Sequence, residues 1–192
     1  MKTILILKKT KHLLFLISIS LKRQYRKIFN KPLIYVFGDS HTMNLHHELF
    51  ITTHVGPATA YKLFSDTSTT QAKKKINTML DKLSKNRKYY FLFVFGEIDC
   101  RIHINKVSRS TQKPLNSVIN DTVTSYISYL KNIQLRFPQS MIMVLNVLPA
   151  GEENNIYHTM FYPSKAHHQK IVSLFNSQLH QKCNENKFIF IS

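Results

Sequence analysis

The sequence predicts an α/β fold: a three-layer sandwich around a parallel sheet of about five strands. Beyond residue 31, short apolar runs alternate with longer segments of helical spacing, the pattern of strands joined by crossover helices. The strongest of these runs lack polar alternation, as expected of strands buried on both faces. Stretches rich in Gly, Asp, Glu and His follow the first three runs, and folds of this class place their sites at the carboxyl ends of strands.

Taken in order, residues 33–37 form the first buried strand, and residues 50–55 a weaker one that ends at Gly56-Pro57. Residues 75–88 have helical spacing, with Ile76, Met79, Leu80 and Leu83 on one side. The run YYFLFVF at 89–95 is the clearest strand in the chain. From 115 to 137, the positions Val118, Ile119, Val123, Tyr126, Ile127, Leu130 and Ile133 mark a long amphipathic helix that Pro138 stops. Residues 140–149 read as the next central strand. A second long helix fits 163–183, with Pro163 near its first turn. Residues 188–191 close the set as a last strand.

Two regions follow: a basic segment over residues 1–31 and an α/β domain over 32–192. The formal net charge is +17, and residues 1–31 hold nine Lys and Arg with no acid. Elsewhere the basic residues are scattered over helix-like segments, where a solvated face is the ordinary explanation. No nucleic-acid motif and no row of base-stacking aromatics occurs, so no nucleic-acid partner is expected. The apolar run at 13–21 is too short to span a bilayer, and Lys22, Arg23 and Arg26 follow it in place of a small-residue cleavage site. Two readings of the segment stand: a basic helix loosely attached to the domain, or a peripheral contact with an anionic membrane. A cytoplasmic or peripheral-membrane location is expected in preference to a secreted one. Two cysteines, Cys100 and Cys183, imply no disulfide framework or zinc site, and the ten His residues show no metal-ligand spacing.

The chemistry lies in three stretches: Gly38-Asp39-Ser40-His41, His54-Val55-Gly56-Pro57, and residues 96–103, GEIDCRIH. All three are expected on the same edge of the sheet. At a strand-to-helix turn Ser40 can expose its hydroxyl, with its own N–H near a helix N-terminus that favours negative charge. Equally, Asp39 or Ser40 can merely cap the helix, since both are preferred N-cap residues. The convergence of the three stretches favours a site.

Gly38-Asp39-Ser40 after a buried strand resembles the first block of the SGNH (GDSL-type) hydrolases, a flavodoxin-like superfamily of esterases, lipases and glycan deacetylases. The likeness extends over residues 33–191 in strand order and motif placement. It implies that Ser40 attacks an ester carbonyl, that the N–H groups of Ser40 and Gly56 stabilise the oxyanion, and that no cofactor is needed. The stretch 95–103 is similar to a subgroup of uncharacterised SGNH-like proteins met beside polysaccharide-synthesis functions. The expected substrate is a small ester or an acylated glycan.

Two departures qualify the resemblance. Ile98 stands where the family has an oxyanion-binding Asn, and Ile cannot donate a hydrogen bond. Arg101 or His103 is a replacement donor, while Asp39, His41, Glu97 and Asp99 are expected at the substrate. The alternative for 97–103 is a salt-bridged loop in which Arg101 pairs with Glu97 or Asp99. The family's Asp-x-x-His is also missing after the last strand, where the chain contains no Asp beyond Asp121. A serine nucleophile needs a base, and His158, after the fourth strand, is the stand-in unless the base belongs to a C-terminal block that the chain lacks. His41, His54 and His103 are expected to polarise the site, and His167, His168 and His180 to face solvent. The alternative function is an impaired member that binds carbohydrate or serves as an accessory protein in polysaccharide biosynthesis.

Overall fold

In the computed structural model, which describes residues 2–29, 31–65, 70–148 and 164–192, a five-stranded parallel sheet forms the centre. Its strands are β1 (Ile34–Gly38), β2 (Phe50–His54), β3 (Tyr90–Val94), β4 (Met141–Leu145) and β5 (Ile189–Ile191), in the order β2-β1-β3-β4-β5. The helices are α1 (Lys2–Ile28), α2 (Ala72–Leu80), α3 (Ile104–Thr111), α4 (Leu115–Arg136) and α5 (Lys165–Glu185). The alternation of strand and helix read from the sequence is therefore the architecture of the molecule.

Strand order and the right-handedness of crossovers fix which face each connection covers. The chain moves one way from β1 to β2, and the other way from β2 through β3 and β4 to β5. The later connections therefore share one face. There Phe37, Phe91 and Phe93 meet Ile76 and Leu80 of α2, Ile119 and Leu130 of α4, and Ile171 and Phe175 of α5 in the main core. The opposite face holds a smaller cluster of Val36, Leu92 and Val94, against which Leu45 packs from the β1–β2 connection. Successive residues of β1 and β3 thus feed different clusters. Both sets are apolar, which is why these strands show no polar alternation in sequence.

Two predicted elements differ in extent. The helix expected over 75–88 runs from Ala72 to Leu80 and then loosens into turns. Leu83 N still bonds Leu80 O (3.0 Å), and Ser84 N bonds Tyr89 Oη (3.1 Å), so hydrogen bonding continues without helix. The segment 97–103, whose alternative reading is a salt-bridged loop, is helical: it enters a π-turn over Asp99–His103 that leads directly into α3. Residues 149–163, with Pro163 and His158, lie outside the described residues. In α5 the N-cap is Ser164, whose hydroxyl accepts a hydrogen bond from His167 N at 3.1 Å.

Candidate active site

Gly38 ends β1 because nothing larger fits there. A Cβ would lie 2.5 Å from the Val94 carbonyl oxygen and collide with the Thr42 methyl. The chain then turns at once into a short 3₁₀ helix, Ser40–Asn44. Its N-cap is Asp39: Oδ1 accepts from the His41 amide and from His41 Nδ1, both at 3.0 Å. The Asp39 carbonyl gathers three further donors: Thr42 N (3.1 Å), Thr42 Oγ1 (2.7 Å) and His54 Nδ1 (2.9 Å). Capping is thus done by the buried Asp39, and Ser40 is released from it. Ser40 is exposed, and neither its hydroxyl nor its amide joins a hydrogen bond among the described residues.

The second stretch lies beside the first because β1 and β2 pair in parallel with Gly38 opposite His54. Val55 N donates to Gly38 O (3.0 Å), and Lys75 Nζ to Val55 O (2.8 Å), which pins the strand end. Gly56 follows at φ +90°, where a Cβ would meet only Lys75 Nζ at an ordinary 3.8 Å, so its backbone conformation selects glycine here. Its N–H likewise joins no hydrogen bond among the described residues. Because a carbonyl oxygen only accepts, the bond from His54 to Asp39 requires the proton on Nδ1 and leaves Nε2 as the basic nitrogen of the neutral ring.

The third stretch divides. Glu97 pairs with Arg101 one turn on, which is the salt-bridged alternative, and Ile98 is half-buried. Asp99 departs from the expectation of a substrate contact. It is fully buried, and its carboxyl accepts the amides of Ala60 (2.6 Å) and Tyr61 (3.2 Å), holding the loop that follows Gly56. Burial raises the Asp99 carboxyl to about 7 against the pull of those two amides. The Cys100 thiol is buried and pushed well up by desolvation, which removes it as a nucleophile at neutral pH. His103 packs its ring on Tyr61, with centroids 4.9 Å apart, and burial lowers its pKa.

A narrow cleft opens between the carboxyl ends of β1, β3 and β4. Asp39, His41 and Glu97 line it with Phe95, Leu145 and Asn146. It sits where the chain direction across the sheet reverses, the usual ligand position of open α/β folds. Ser40, His54, Gly56, Asp99, Arg101 and His103 do not line it. The only sequence signal for Leu145 and Asn146 is their place at the end of a predicted central strand. His167 and His168 also depart from expectation. His167 Nε2 bonds Asn105 Oδ1 at 2.8 Å, and His168 is buried, because the start of α5 packs on the π-turn segment.

No protein-family model and no curated protein matches the sequence. Solved structures do. Phospholipase A1 from Streptomyces albidoflavus superposes with a TM-score of 0.51 at 10% identity, covering 83% of this chain and 78% of that one. A carbohydrate acetylesterase from Sinorhizobium meliloti superposes at 0.50 and 9% identity, over 84% and 83% of the two chains. At such identities the likeness is one of fold, and the chain has the α/β fold of the SGNH-type hydrolases.

Proposed function

We propose that this protein is a serine-dependent ester hydrolase or acyl-transfer enzyme acting on a small ester or an acylated glycan. The observation that carries this reading is the release of Ser40 from capping. Its hydroxyl is exposed at the carboxyl edge of the sheet, its amide is uncommitted among the described residues, and Asp39 holds the turn in its place. The fold shared with a carbohydrate acetylesterase supports the choice of substrate class.

In this reading Ser40 Oγ attacks the acyl carbon while its proton passes to an imidazole. The amides of Ser40 and Gly56 hold the oxyanion that forms. The imidazolium then returns its proton to the departing alcohol as the C–O bond breaks, and water releases the acyl group by the same steps in reverse order. We assign the base to His54. Its Nδ1 is tied to the residue preceding Ser40, which leaves Nε2 to accept the proton. His41 is held in the same tautomer by Asp39, but neighbouring residues of a helical turn do not face each other. We assign contact with a sugar or leaving-group hydroxyl to His41 and Glu97, which line the cleft, whereas the buried Asp39 holds the turn.

Ile98 supplies no third oxyanion donor, and loss of one donor costs about 10²–10³ in rate. That residue, with Arg101 engaged by Glu97, favours a second reading: a pocket kept for carbohydrate binding in polysaccharide assembly. Fluorophosphonate labelling and p-nitrophenyl acetate hydrolysis separate the two. The hydrolase reading expects slow labelling that Ser40→Ala abolishes and His54→Ala slows strongly. Labelling that survives Ser40→Ala would sink the nucleophile, and labelling slowed by His158→Ala but not by His54→Ala would move the base to His158. A wild type that neither labels nor turns over, yet binds acetylated oligosaccharides, would favour the second reading.

A further inference from the structure

Helix α1 touches the domain along one narrow stripe and turns an apolar stripe the opposite way. Leu16, Ile19, Arg23 and Arg26, spaced three and four residues apart, are its shielded positions, and Ile19 is 8% exposed. The polar ends of that stripe hold the helix in place. Arg23 donates to His47 O at 3.0 Å, and Arg26 and Lys22 both bind Glu48 at 3.1 Å. At 100° per residue, Leu14, Ile17, Leu21, Tyr25 and Ile28 fall on the far side, about half a turn from the docked stripe. Their exposures run from 47% at Ile17 to 75% at Ile28, so the second stripe is uncovered along its length.

The charge around this stripe has one sign. Residues 1–38 contain no acid, and among the described residues the carboxylate that pairs with α1, Glu48, is already bridged by two of its cations. At the C-terminal end of α1, Arg26, Lys27 and Lys31 share a cleft with Arg87 and Lys88 at the amino edge of the sheet, opposite the candidate active site. A second copy of the chain would bring two acid-free cationic helices together with no opposing charge across the apolar seam. An anionic bilayer surface complements both features: acyl chains for the stripe and phosphates for the positive charge of the helix. Among the described residues no helix is long and apolar enough to cross a membrane, so the contact lies in the interface plane.

We propose that the outward face of α1 seats the protein on an anionic phospholipid surface, with Lys27 and Lys31 at the end of the helix against the lipid phosphates. The test is flotation of the full chain with vesicles of phosphatidylcholine, with and without phosphatidylglycerol. The protein should float only with the anionic vesicles. Combined Leu14→Gln, Ile17→Gln and Leu21→Gln substitutions should abolish flotation, and Lys27→Gln with Lys31→Gln should weaken it about 25-fold, about fivefold per charge. Because the chain has no Trp, Ile17→Trp adds a single reporter whose emission should shift to the blue on anionic vesicles. The proposal is overturned if the wild type does not float, if the triple variant floats undiminished, or if the charge variant binds as well as the wild type. It is overturned equally if Ile17→Trp emission is unmoved, or if the triple substitution converts a dimer to a monomer in sedimentation without vesicles.

Discussion

Asp99 should make the protein lose stability as pH rises from 4 to 7, the reverse of the usual acidic residue. Its carboxyl is fully buried and raised from the ordinary 3.8 to about 7 by desolvation, which outweighs the amides of Ala60 and Tyr61. Below the unfolded value both states hold the proton, so the contribution is complete. Between the two values the folded protein keeps a proton that the unfolded chain has released, and stability falls by about 1.4 kcal/mol per pH unit. Three such units give about 4 kcal/mol in all, of which about 3 kcal/mol falls between pH 5 and 8. For a chain of this length that is a drop of about 6–12 °C in Tm. Other groups titrate over the same range, so the measurement is a comparison with Asp99→Asn, which keeps an oxygen for Ala60 N but cannot ionise. The variant is offset at every pH by a mispaired amide at Tyr61, about 1–3 kcal/mol, while its slope from pH 5 to 8 loses the Asp99 contribution. Parallel pH curves for the two proteins would refute the reasoning. So would a carboxyl resonance of Asp99 that titrates near 4 in the folded state.

Three further outcomes follow from the packing. Gly56→Ala forces a side chain into φ +90° and should cost about 1–3 kcal/mol in thermal unfolding, with slowed fluorophosphonate labelling because the amide is displaced. Phe37→Ala removes a fully buried ring stacked on Phe93 at 5.3 Å and should cost about 3–5 kcal/mol in urea unfolding. Arg101→Ala breaks a half-exposed pair with Glu97, so stability should change by less than about 1 kcal/mol, and labelling by Ser40 should stay close to wild type.

The parts of this fold that were legible in sequence are those written as local patterns. Apolar runs marked the strands, the spacing of Val118 to Ile133 marked α4, and three chemically rich stretches at strand ends met on one edge as expected. What was not legible depends on partners far along the chain. The bond between His54 and Asp39 exists because β1 and β2 pair in one register, which no local pattern records. Asp99 reaches amides 38 and 39 residues away, so no local pattern shows its role as an anchor, and in sequence it reads as a substrate contact or a partner of Arg101. That Asp39 and not Ser40 caps the turn needed the direction of the Asp39 carboxyl. The end of α2 at Leu80 was missed because the apolar spacing continues to Leu83, which packs on the core from a turn outside the helix.

The π-turn at Asp99–His103 has a consequence for the chain as a string of residues. A π-turn holds one residue more than the α-helical turn it replaces, and so shifts the phase of everything on one side of it relative to the other. Here that shift aims Asp99 at the Ala60 loop while Ile104 and Asn105 remain buried. Deleting one residue within 99–103 would restore a plain α-helix and rotate its first turn by about 100° against α3. The segment should therefore tolerate substitutions at its partly exposed positions, Arg101, Ile102 and His103, far better than any change in its length. Homologues aligned here would be expected to differ in residue type and to agree in residue number.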